Sequence, residues 1–254
     1  MTTWADGPML ALDFEATGVD VECDRAVTAT AVRLAPGRDP VVSSWLIAPD
    51  VDIPAEATAV HGITTEQARA HGRPAADVIP EVRDAVYSAW AGQAVLVGHN
   101  IGGYDLSLLD RECRRWLGSG FAVTGPVADS LCLDRAVDKY RPGPRKLEAA
   151  CTHYRVRIDG AHDAEFDAMA SARIVWRIAR AFPEVGAMSP RQLWRFQRAA
   201  YREWAEHYQD YRRQKARDEG LSVAEIEAIV IPTEWPLRPL PTAAANPEPT
   251  GVRP

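Results

Sequence analysis

The first apolar segment of the chain constrains the fold more than any other feature, because it is short, strongly apolar and ends in acidic residues. Residues 8–13 read Pro-Met-Leu-Ala-Leu-Asp, and Glu15 follows two positions after Asp13. An apolar run of this length is typical of a strand that is buried within a sheet. Since side chains at positions i and i+2 of a strand lie on the same face, both carboxylates are expected on one side of the chain.

Two carboxylates at the end of a buried strand have two interpretations. Like charges repel each other, so such an arrangement persists where a cation lies between them, and oxygen ligands favour Mg²⁺ or Mn²⁺ over zinc. Alternatively, the end of the strand frays into solvent, where two acidic side chains cost little. Taken alone, Asp13 and Glu15 do not decide between a metal site and a solvated strand end.

The segments that follow predict an α/β domain. Three consecutive strands with short turns indicate an antiparallel meander, and the later strands alternate with helices. Residues 48–73 are expected to form a loop with a short helical piece. Further strands are predicted at 27–34, 41–47, 94–97 and 121–127, and helices at 74–90, 104–116, 130–140, 146–154 and 163–181. The expected fold is a mixed sheet flanked by helices over residues 1–185.

A helical appendage is predicted beyond residue 185. Ser189 followed by Pro190 is typical of a helix start, and this helix is expected over 189–218. One face carries large aromatic side chains, which predict packing against the α/β domain, a second copy of the chain or a DNA polymerase. Alternatively, the interleaved arginines contact nucleic acid. Residues 219–254 are acidic and proline-rich, and they are expected to be extended or disordered. The aromatic residues are Trp194, Tyr201, Trp204, Tyr208 and Tyr211, and the arginines are Arg195, Arg198, Arg202, Arg212 and Arg213.

Charge is distributed unevenly along the 254 residues, whose formal net charge of −6 by itself argues against a polyanionic partner. Residues 111–157 carry 10 basic and 5 acidic side chains, and residues 189–217 carry 8 basic and 3 acidic ones. These two basic blocks are the places where a phosphate backbone is expected to lie.

The cellular location is inferred from two features that the sequence lacks. No apolar run approaches the length of about 18–20 residues that a membrane span needs, and the first residues lack the pattern of a signal peptide. A cytoplasmic protein without a membrane partner is therefore expected.

The cysteines, Cys23, Cys113, Cys132 and Cys151, lie far apart, which predicts buried thiols rather than disulfides or a zinc ribbon.

Further residues suited to metal chemistry follow the first two carboxylates in a definite order. Residues 98–100, Gly-His-Asn, end a predicted strand, and Asp105 opens the next helix. His162 precedes the last helix of the domain, and its five-residue offset from Asp167 lets the imidazole approach that carboxylate. A purely structural alternative makes His162 a helix cap beside Asp163.

In this order the segments resemble the motifs of the DEDD superfamily of 3′-to-5′ exonucleases, in its histidine-containing branch (DEDDh). The resemblance covers residues 8–182 and implies a ribonuclease H-like fold. Asp-Phe-Glu-Ala-Thr-Gly (13–18) is similar to the first motif, Gly-His-Asn to Tyr-Asp-Leu-Ser-Leu-Leu (98–109) to the second and His-x-x-x-x-Asp (162–167) to the third. His-Gly-Ile-Thr (61–64), Asp-Ser-Leu (129–131) and Lys-Leu-Glu-Ala-Ala-Cys (146–151) resemble segments of the proofreading, epsilon-type subunits of bacterial replicative polymerases.

The resemblance implies a role for each acidic residue of these motifs. Asp13, Glu15, Asp105 and Asp167 would hold two Mg²⁺ or Mn²⁺ ions, which clamp the attacking and leaving oxygens of a phosphodiester. His162 would take the proton from the attacking water, for which its ordinary pKa of about 6.5 is suited.

The resemblance also implies a pocket for the 3′-terminal nucleotide, formed by Ala16, Thr17, Gly18, His61 and Asn100. The sequence departs from the family pattern at two of these positions. Relatives often have Thr where this chain has Ala16, so a side-chain contact is lost there. The family commonly places the Asn and Asp of the second motif four residues apart, whereas Asn100 and Asp105 are five apart, with an extra glycine that a bulge or looser turn can absorb.

Two classes of function follow from these observations. The first is a metal-dependent 3′-to-5′ exonuclease that releases nucleoside monophosphates from single-stranded DNA in proofreading or repair, with RNA trimming, as in an oligoribonuclease, as the alternative substrate. The second is a non-catalytic module that binds nucleic acid or a polymerase. Clustered acidic residues argue against the second class, because they destabilise a fold that does not use them.

Overall fold

A six-stranded mixed sheet organises the fold in the computed structural model, which describes residues 3–157 and 164–241. Its strands are β1 (Met9–Ala16), β2 (Ala26–Leu34), β3 (Val41–Ala48), β4 (Arg73–Pro74), β5 (Val95–Gly98) and β6 (Val127–Asp129). They lie side by side in the order β4-β3-β2-β1-β5-β6. β1 is antiparallel to β2, and β2 is antiparallel to β3, whereas β5 is parallel to both β1 and β6.

Helices cover both faces of this sheet. Helices α3 and α4 pack on one face, and α6 and α7 pack on the other. The helices are α1 (Ala55–His61), α2 (Thr65–His71), α3 (Ala75–Ala91), α4 (Asp105–Leu117), α5 (Ser130–Val137), α6 (Leu147–Tyr154), α7 (Ala164–Ala181), α8 (Pro183–Gly186), α9 (Pro190–Asp218) and α10 (Val223–Glu227). This arrangement confirms the expected α/β fold with a helical C-terminal appendage.

The central strand β1 is buried on both faces, as its apolar sequence predicts. Leu10, Leu12 and Phe14 pack on the side of α3 and α4, whereas Met9 and Ala11 pack on the side of α7. Alternation along a strand places Asp13 and Glu15 on the same side as Met9 and Ala11. The two carboxylates therefore lie on the α7 side of the sheet, at the end of its central strand.

The antiparallel meander is confirmed, but the strand predicted at 121–127 is wrong. Residues 120–126 form an irregular segment, and β6 begins only at Val127. The apolar character of this segment has another cause, because Phe121 stacks against the rings of Tyr87 and Trp90 in the core. Pro126, which has no N–H group, precedes the strand directly. The loop predicted at 48–73 likewise contains two helices, α1 and α2.

Helix α9 and the segment after it return to the α/β domain. Ser189 caps α9 through the N–H of Gln192. The fully buried Gln197 side chain accepts from the N–H of Asp129 and donates to the carbonyl of Val127. After α10 the chain crosses back to α4, and Trp235 is buried there against Trp194. The aromatic face of α9 thus packs in part on its own domain.

Two further sequence expectations concern the cysteines and the membrane. Cys113, Cys132 and Cys151 are buried free thiols, as expected, but Cys23 is exposed because it lies in a surface turn between β1 and β2. Over residues 3–157 and 164–241, the structure contains no helix with the length and apolar character needed to cross a membrane.

Candidate active site

The candidate site lies at one edge of the sheet. Strands β1, β5 and β6 are parallel to one another, so their C-terminal ends meet at this edge. The edge therefore brings together Asp13 and Glu15 from β1, the segment 99–104 that follows β5, and Asp129 at the end of β6.

Asp105 is anchored directly to β1. It is the first residue of α4 and is almost completely buried. One of its carboxylate oxygens, Oδ1, accepts the backbone N–H of Phe14 at 3.0 Å. Because Phe14 lies between Asp13 and Glu15 in the strand, this hydrogen bond holds the Asp105 carboxylate beside both of them.

Asp167 approaches the same group from the opposite layer. It lies in the first turn of α7, the helix that packs on the Asp13 side of β1. Its negative charge contributes to raising the pKa of Asp13. The four predicted carboxylates are thus brought together at the end of β1, whereas His162 lies outside the described residues.

The electrostatics of the site are those of crowded, buried carboxylates. Burial raises the pKa of Asp13 well above its usual value, and the charges of Asp105, Glu15 and Asp167 raise it further. Burial also raises the pKa of Asp105 to about 8, although the N–H groups of Phe14 and of Asp105 itself oppose that shift. Without a cation, these side chains resist carrying their full charge at neutral pH.

This donor set fits divalent cations in its chemistry. Carboxylate oxygens are the preferred ligands of Mg²⁺ and Mn²⁺, and a bound cation would reverse the raised pKa values. Among the described residues, no three His, Cys, Asp or Glu side chains are already arranged in the geometry of a formed metal site. The fit therefore rests on the donor atoms and on their unfavourable charges.

A pH dependence of stability follows from the raised pKa of Asp105. In chelator-treated protein, the free energy of unfolding is expected to fall on the order of 5 kcal/mol between about pH 4 and pH 8 because of this group. The unfolded chain ionises Asp105 near its usual pKa of about 4, whereas the folded chain retains the proton up to about pH 8. Folded protein thus binds more protons across this interval, which makes stability decrease as pH rises.

The measurement is urea unfolding of the wild type and of Asp105→Asn across this pH range. The amide oxygen of the variant still accepts the Phe14 N–H, so the difference between the two curves isolates the ionisation. A difference that does not change with pH would contradict the raised pKa of Asp105.

Thr17 and Gly18, which follow β1, have mainly structural roles. The Thr17 hydroxyl donates to Asp24 at 2.8 Å and accepts the N–H of Arg25 at 3.0 Å, which closes the turn between β1 and β2. A Cβ atom at Gly18 would lie 2.5 Å from the Asp24 carboxylate. Ala16 is buried at a register shift in β1. The predicted contacts of these residues with a nucleotide stay a prediction.

His61 presents an unsatisfied donor in a cleft beside Glu15. The cleft has a volume of about 470 Å³, and Trp45 and Thr30 also line it. The imidazole Nδ1 accepts the N–H of Ile63 at 3.1 Å, so Nε2 bears the proton. Nε2 is buried and has no hydrogen-bond partner among the described residues. Burial lowers the pKa of His61, although the backbone of Ala16 opposes that shift.

Asp129 organises the loop that carries Asn100, a role that the sequence did not reveal. Its buried carboxylate accepts the backbone N–H groups of Asn100 and Gly102 at 3.0 and 3.1 Å. The same carboxylate caps α5 by accepting the N–H groups of Leu131 and Cys132. The signal that could have found it is an aspartate directly before a serine and an apolar helix.

The five-residue spacing between Asn100 and Asp105 is accommodated by a turn in which Asn100 has a positive φ of 63°. Trp235 packs directly on this turn, and a Cβ atom at Gly102 would lie only 2.2 Å from its indole nitrogen. The backbone N–H of Arg238, in the same C-terminal segment, donates to Ser107 in the first turn of α4. The segment around Trp235 thus covers the turn that leads to Asp105.

Comparisons with known proteins agree with this geometry. The family model of the RNase_T exonucleases matches residues 10–175. The chain is 30% identical over 176 residues to the DNA polymerase III subunit epsilon of Aquifex aeolicus, a match that covers 68% of this chain and 81% of that protein. It is 27% identical over 172 residues to the PolC-type DNA polymerase III of Latilactobacillus sakei subsp. sakei, covering 66% of this chain but only 11% of the much longer polymerase.

Solved structures share the fold at lower identity. E. coli exonuclease I in complex with a dT13 oligonucleotide has a TM-score of 0.60 at 19% identity, covering 70% of this chain and 43% of that chain. Exonuclease I of Methylocaldum szegediense has a TM-score of 0.56 at 20% identity, covering 70% of this chain and 41% of that chain. The present chain therefore spans less than half the length of either exonuclease I.

The chain belongs to the RNase_T family of exonucleases. Membership confirms the DEDDh-type resemblance drawn from the motifs, and the shared sheet confirms the ribonuclease H-like fold. The division into a domain at 1–185, a helix at 189–218 and a tail at 219–254 stays a prediction, although the family match ends within the first of these parts.

Proposed function

We propose that this protein is a divalent-metal-dependent 3′-to-5′ exonuclease that removes nucleoside monophosphates from single-stranded DNA ends during proofreading or repair. The observation that supports the proposal most strongly is the burial of Asp105 against β1, beside Asp13. Two buried carboxylates with raised pKa values destabilise a fold that does not use them, whereas a metal-dependent nuclease requires them.

Asp13, Glu15, Asp105 and Asp167 are the residues that would hold the ions, two Mg²⁺ or Mn²⁺ by the DEDDh resemblance. Bound ions supply Lewis-acid stabilisation of the phosphodiester oxygens and favour the ionised form of the attacking water. The protein's own contribution is to hold the four carboxylates in place, through the sheet hydrogen bonds of β1 and through the Phe14 N–H that fixes Asp105.

Proton transfer and substrate positioning are assigned to two histidines. His162, which precedes α7, is proposed to accept the proton of the attacking water, a step that typically contributes about 10²–10⁴-fold to the rate. His61 is proposed to donate from its unsatisfied Nε2 to the terminal nucleotide in the cleft beside Glu15. Ala16, Thr17, Gly18 and Asn100 complete the proposed nucleotide pocket.

A DNA substrate and a polymerase partner are favoured by the curated relatives. The Aquifex aeolicus protein, which this chain covers over most of its length, is a DNA polymerase III subunit, and the PolC-type relatives are DNA polymerases. We therefore favour single-stranded DNA 3′ ends over RNA as the substrate, and a polymerase as the partner of the exposed part of α9.

The experiment uses one oligonucleotide labelled at its 5′ end, as DNA and as RNA, and a DNA primer with a mismatched 3′ terminus. With Mn²⁺ we expect a ladder of progressively shorter 5′-labelled products. EDTA should abolish this degradation, and His162→Gln should slow it about 10²–10⁴-fold. DNA is expected to be degraded faster than RNA. Release of the label as a mononucleotide at the start of the reaction would contradict 3′-to-5′ polarity, and unchanged degradation in EDTA would contradict metal dependence.

A further inference from the structure

A second polar cavity lies outside the candidate active site, between α5, the loop after it and α9. Its volume is about 700 Å³. We call it the basic groove, and define it by Arg135, Lys139, Arg141, Arg145, Trp204 and Tyr208, which line it. None of these residues belongs to the motifs assigned to catalysis.

Positive charge in the basic groove exceeds the negative charge that faces it. Arg141 and Arg145 share a single carboxylate, that of the buried Asp134, at 2.6 and 2.8 Å. Lys139 pairs with Glu203 on α9. Four cations therefore have two carboxylate partners, and Arg135 has none among the described residues.

Arg135 is held in place without an anion. Its guanidinium carbon lies 3.8 Å from the ring centroid of Trp204, a stacked arrangement that fixes the side chain. No backbone or side-chain acceptor among the described residues takes a hydrogen bond from it. Burial lowers the pKa of Arg135, and the negative charge of Asp129 opposes that shift. The buried Nε of Arg141 likewise has no acceptor over residues 3–157 and 164–241.

Unsatisfied guanidinium donors are costly when they are partly withdrawn from water. A guanidinium group presents a planar fork of donors that matches the oxygens of a phosphate. The stacked Arg135 therefore has the chemistry of a preorganised phosphate ligand.

The basic groove is joined to the active-site edge of the sheet. His99, directly after β5, contacts the Ser130 hydroxyl through Nδ1 at 2.8 Å and the carbonyl of Arg145 through Nε2 at 3.0 Å. Asp129, which fixes the Asn100 turn, also begins α5. Arg135 lies five residues into that helix, a rise of about 8 Å from Ser130. β6 and β1 are two strand spacings apart, about 10 Å.

We propose that the basic groove binds phosphate groups of the single-stranded nucleic acid whose 3′ end occupies the active site. The proposal rests on the proposed exonuclease function, because it assigns the upstream part of the same strand. Nucleic acid is favoured over an acidic peptide, because the proposed function already brings a strand to this edge, and a longer strand must continue along the protein surface.

The test measures binding of fluorescent DNA oligonucleotides in EDTA, so that no strand is cleaved. For an oligonucleotide long enough to leave the active site, Arg135→Gln is expected to weaken binding about tenfold. The slope of log Kd against log salt concentration is expected to decrease by about 0.7, the value for one lost phosphate contact on a single strand. Binding of a dinucleotide, which is too short to reach the groove, is expected to remain unchanged.

Arg38→Gln is the matched control, because Arg38 is an exposed arginine in the turn between β2 and β3 that does not line the basic groove. It removes the same charge and is expected to change binding less than about twofold. Arg135→Lys keeps the charge but loses the planar fork, and an affinity between wild type and Arg135→Gln is expected. Thermal unfolding of each variant shows whether the fold is retained.

Equal affinities and equal salt slopes for wild type and Arg135→Gln would overturn the proposal, even if the groove then binds an acidic peptide. A mononucleotide that competes through Arg135 as strongly as the long strand would also overturn it. Because binding is measured in EDTA, it is independent of hydrolysis. A wild-type protein that binds strands through Arg135 but never shortens them would refute the exonuclease function and leave the groove assignment intact.

Discussion

Asp13→Asn is expected to slow nucleotide release at least about a thousandfold, and at the same time to stabilise the metal-free protein. The rate falls because asparagine provides a weaker, neutral ligand where the charge of a phosphodiester and its ions must be balanced. Stability rises by about 1–2 kcal/mol, because the substitution removes a buried carboxyl group whose ionisation is opposed by burial and by the charges of Asp105, Glu15 and Asp167. Single-turnover degradation and chelator-treated urea unfolding measure the two effects.

Asp39→Asn is the matched control for this prediction. Asp39 is an exposed aspartate in the turn before β3, and its substitution makes the same change of charge at the end of the sheet opposite to Asp13. We expect both its rate and its stability to stay close to those of the wild type. An Asp13→Asn protein that degrades DNA at the wild-type rate would remove Asp13 from the catalytic site.

Gly102→Ala and Trp235→Ala are expected to destabilise the protein separately but not additively. Trp235 is buried, and its loss is expected to cost about 3 kcal/mol. A Cβ atom at Gly102 would overlap the Trp235 indole, so Gly102→Ala is expected to cost about 1–3 kcal/mol. In the Trp235→Ala background the same glycine substitution has room and should cost less than about 0.5 kcal/mol. The resulting double-mutant cycle measures the contact between the C-terminal segment and the Asn100 turn.

The rate of nucleotide release should also depend on the contact between Trp235 and the Asn100 turn. The Asn100 turn leads directly to Asp105, so a displaced turn shifts this carboxylate, and outer-shell supports of metal ligands typically contribute about 10–100-fold. Gly92→Ala is the control, because Gly92 has an ordinary φ of −82° and nearest neighbours at 3.4 Å. Additive destabilisation by Gly102→Ala and Trp235→Ala would contradict direct packing.

The positions of Asp13, Glu15 and Asp105 in the fold could be predicted from the sequence because they follow local rules. Alternation along β1 correctly places Asp13 and Glu15 on one face, and the start of α4 correctly places Asp105 at the same edge. Each of these inferences needs only the periodicity of one element and the knowledge that parallel strands end together.

Long-range contacts account for what the sequence did not predict. Phe121 lies in an apolar segment that looks like a strand, but its partners, Tyr87 and Trp90, belong to a helix more than 30 residues away. Gly102, in the longer turn after Asn100, packs against Trp235, which comes from the far end of the chain. Neither contact has a periodic signal in the sequence.

Which basic side chains are paired with carboxylates became clear only from their contacts in the folded protein. The basic block at 111–157 contains Arg111 and Arg114, which pair with Asp110 and Glu22, as well as Arg135, which has no carboxylate partner among the described residues. Net charge along the sequence cannot separate these cases. The pairing of each side chain decides which cation remains available to a phosphate.

The central claim is that the carboxylates at the end of β1 become a working site by binding divalent ions. The most direct test is a titration with Mn²⁺ that follows, on the same EDTA-treated protein, the rate of 3′-end shortening and the unfolding temperature. We predict that both rise over the same Mn²⁺ concentrations in the wild type, and that Asp13→Asn shows neither rise over that range. A wild-type rate that does not depend on Mn²⁺, or an unfolding temperature that rises equally in Asp13→Asn, would contradict the claim.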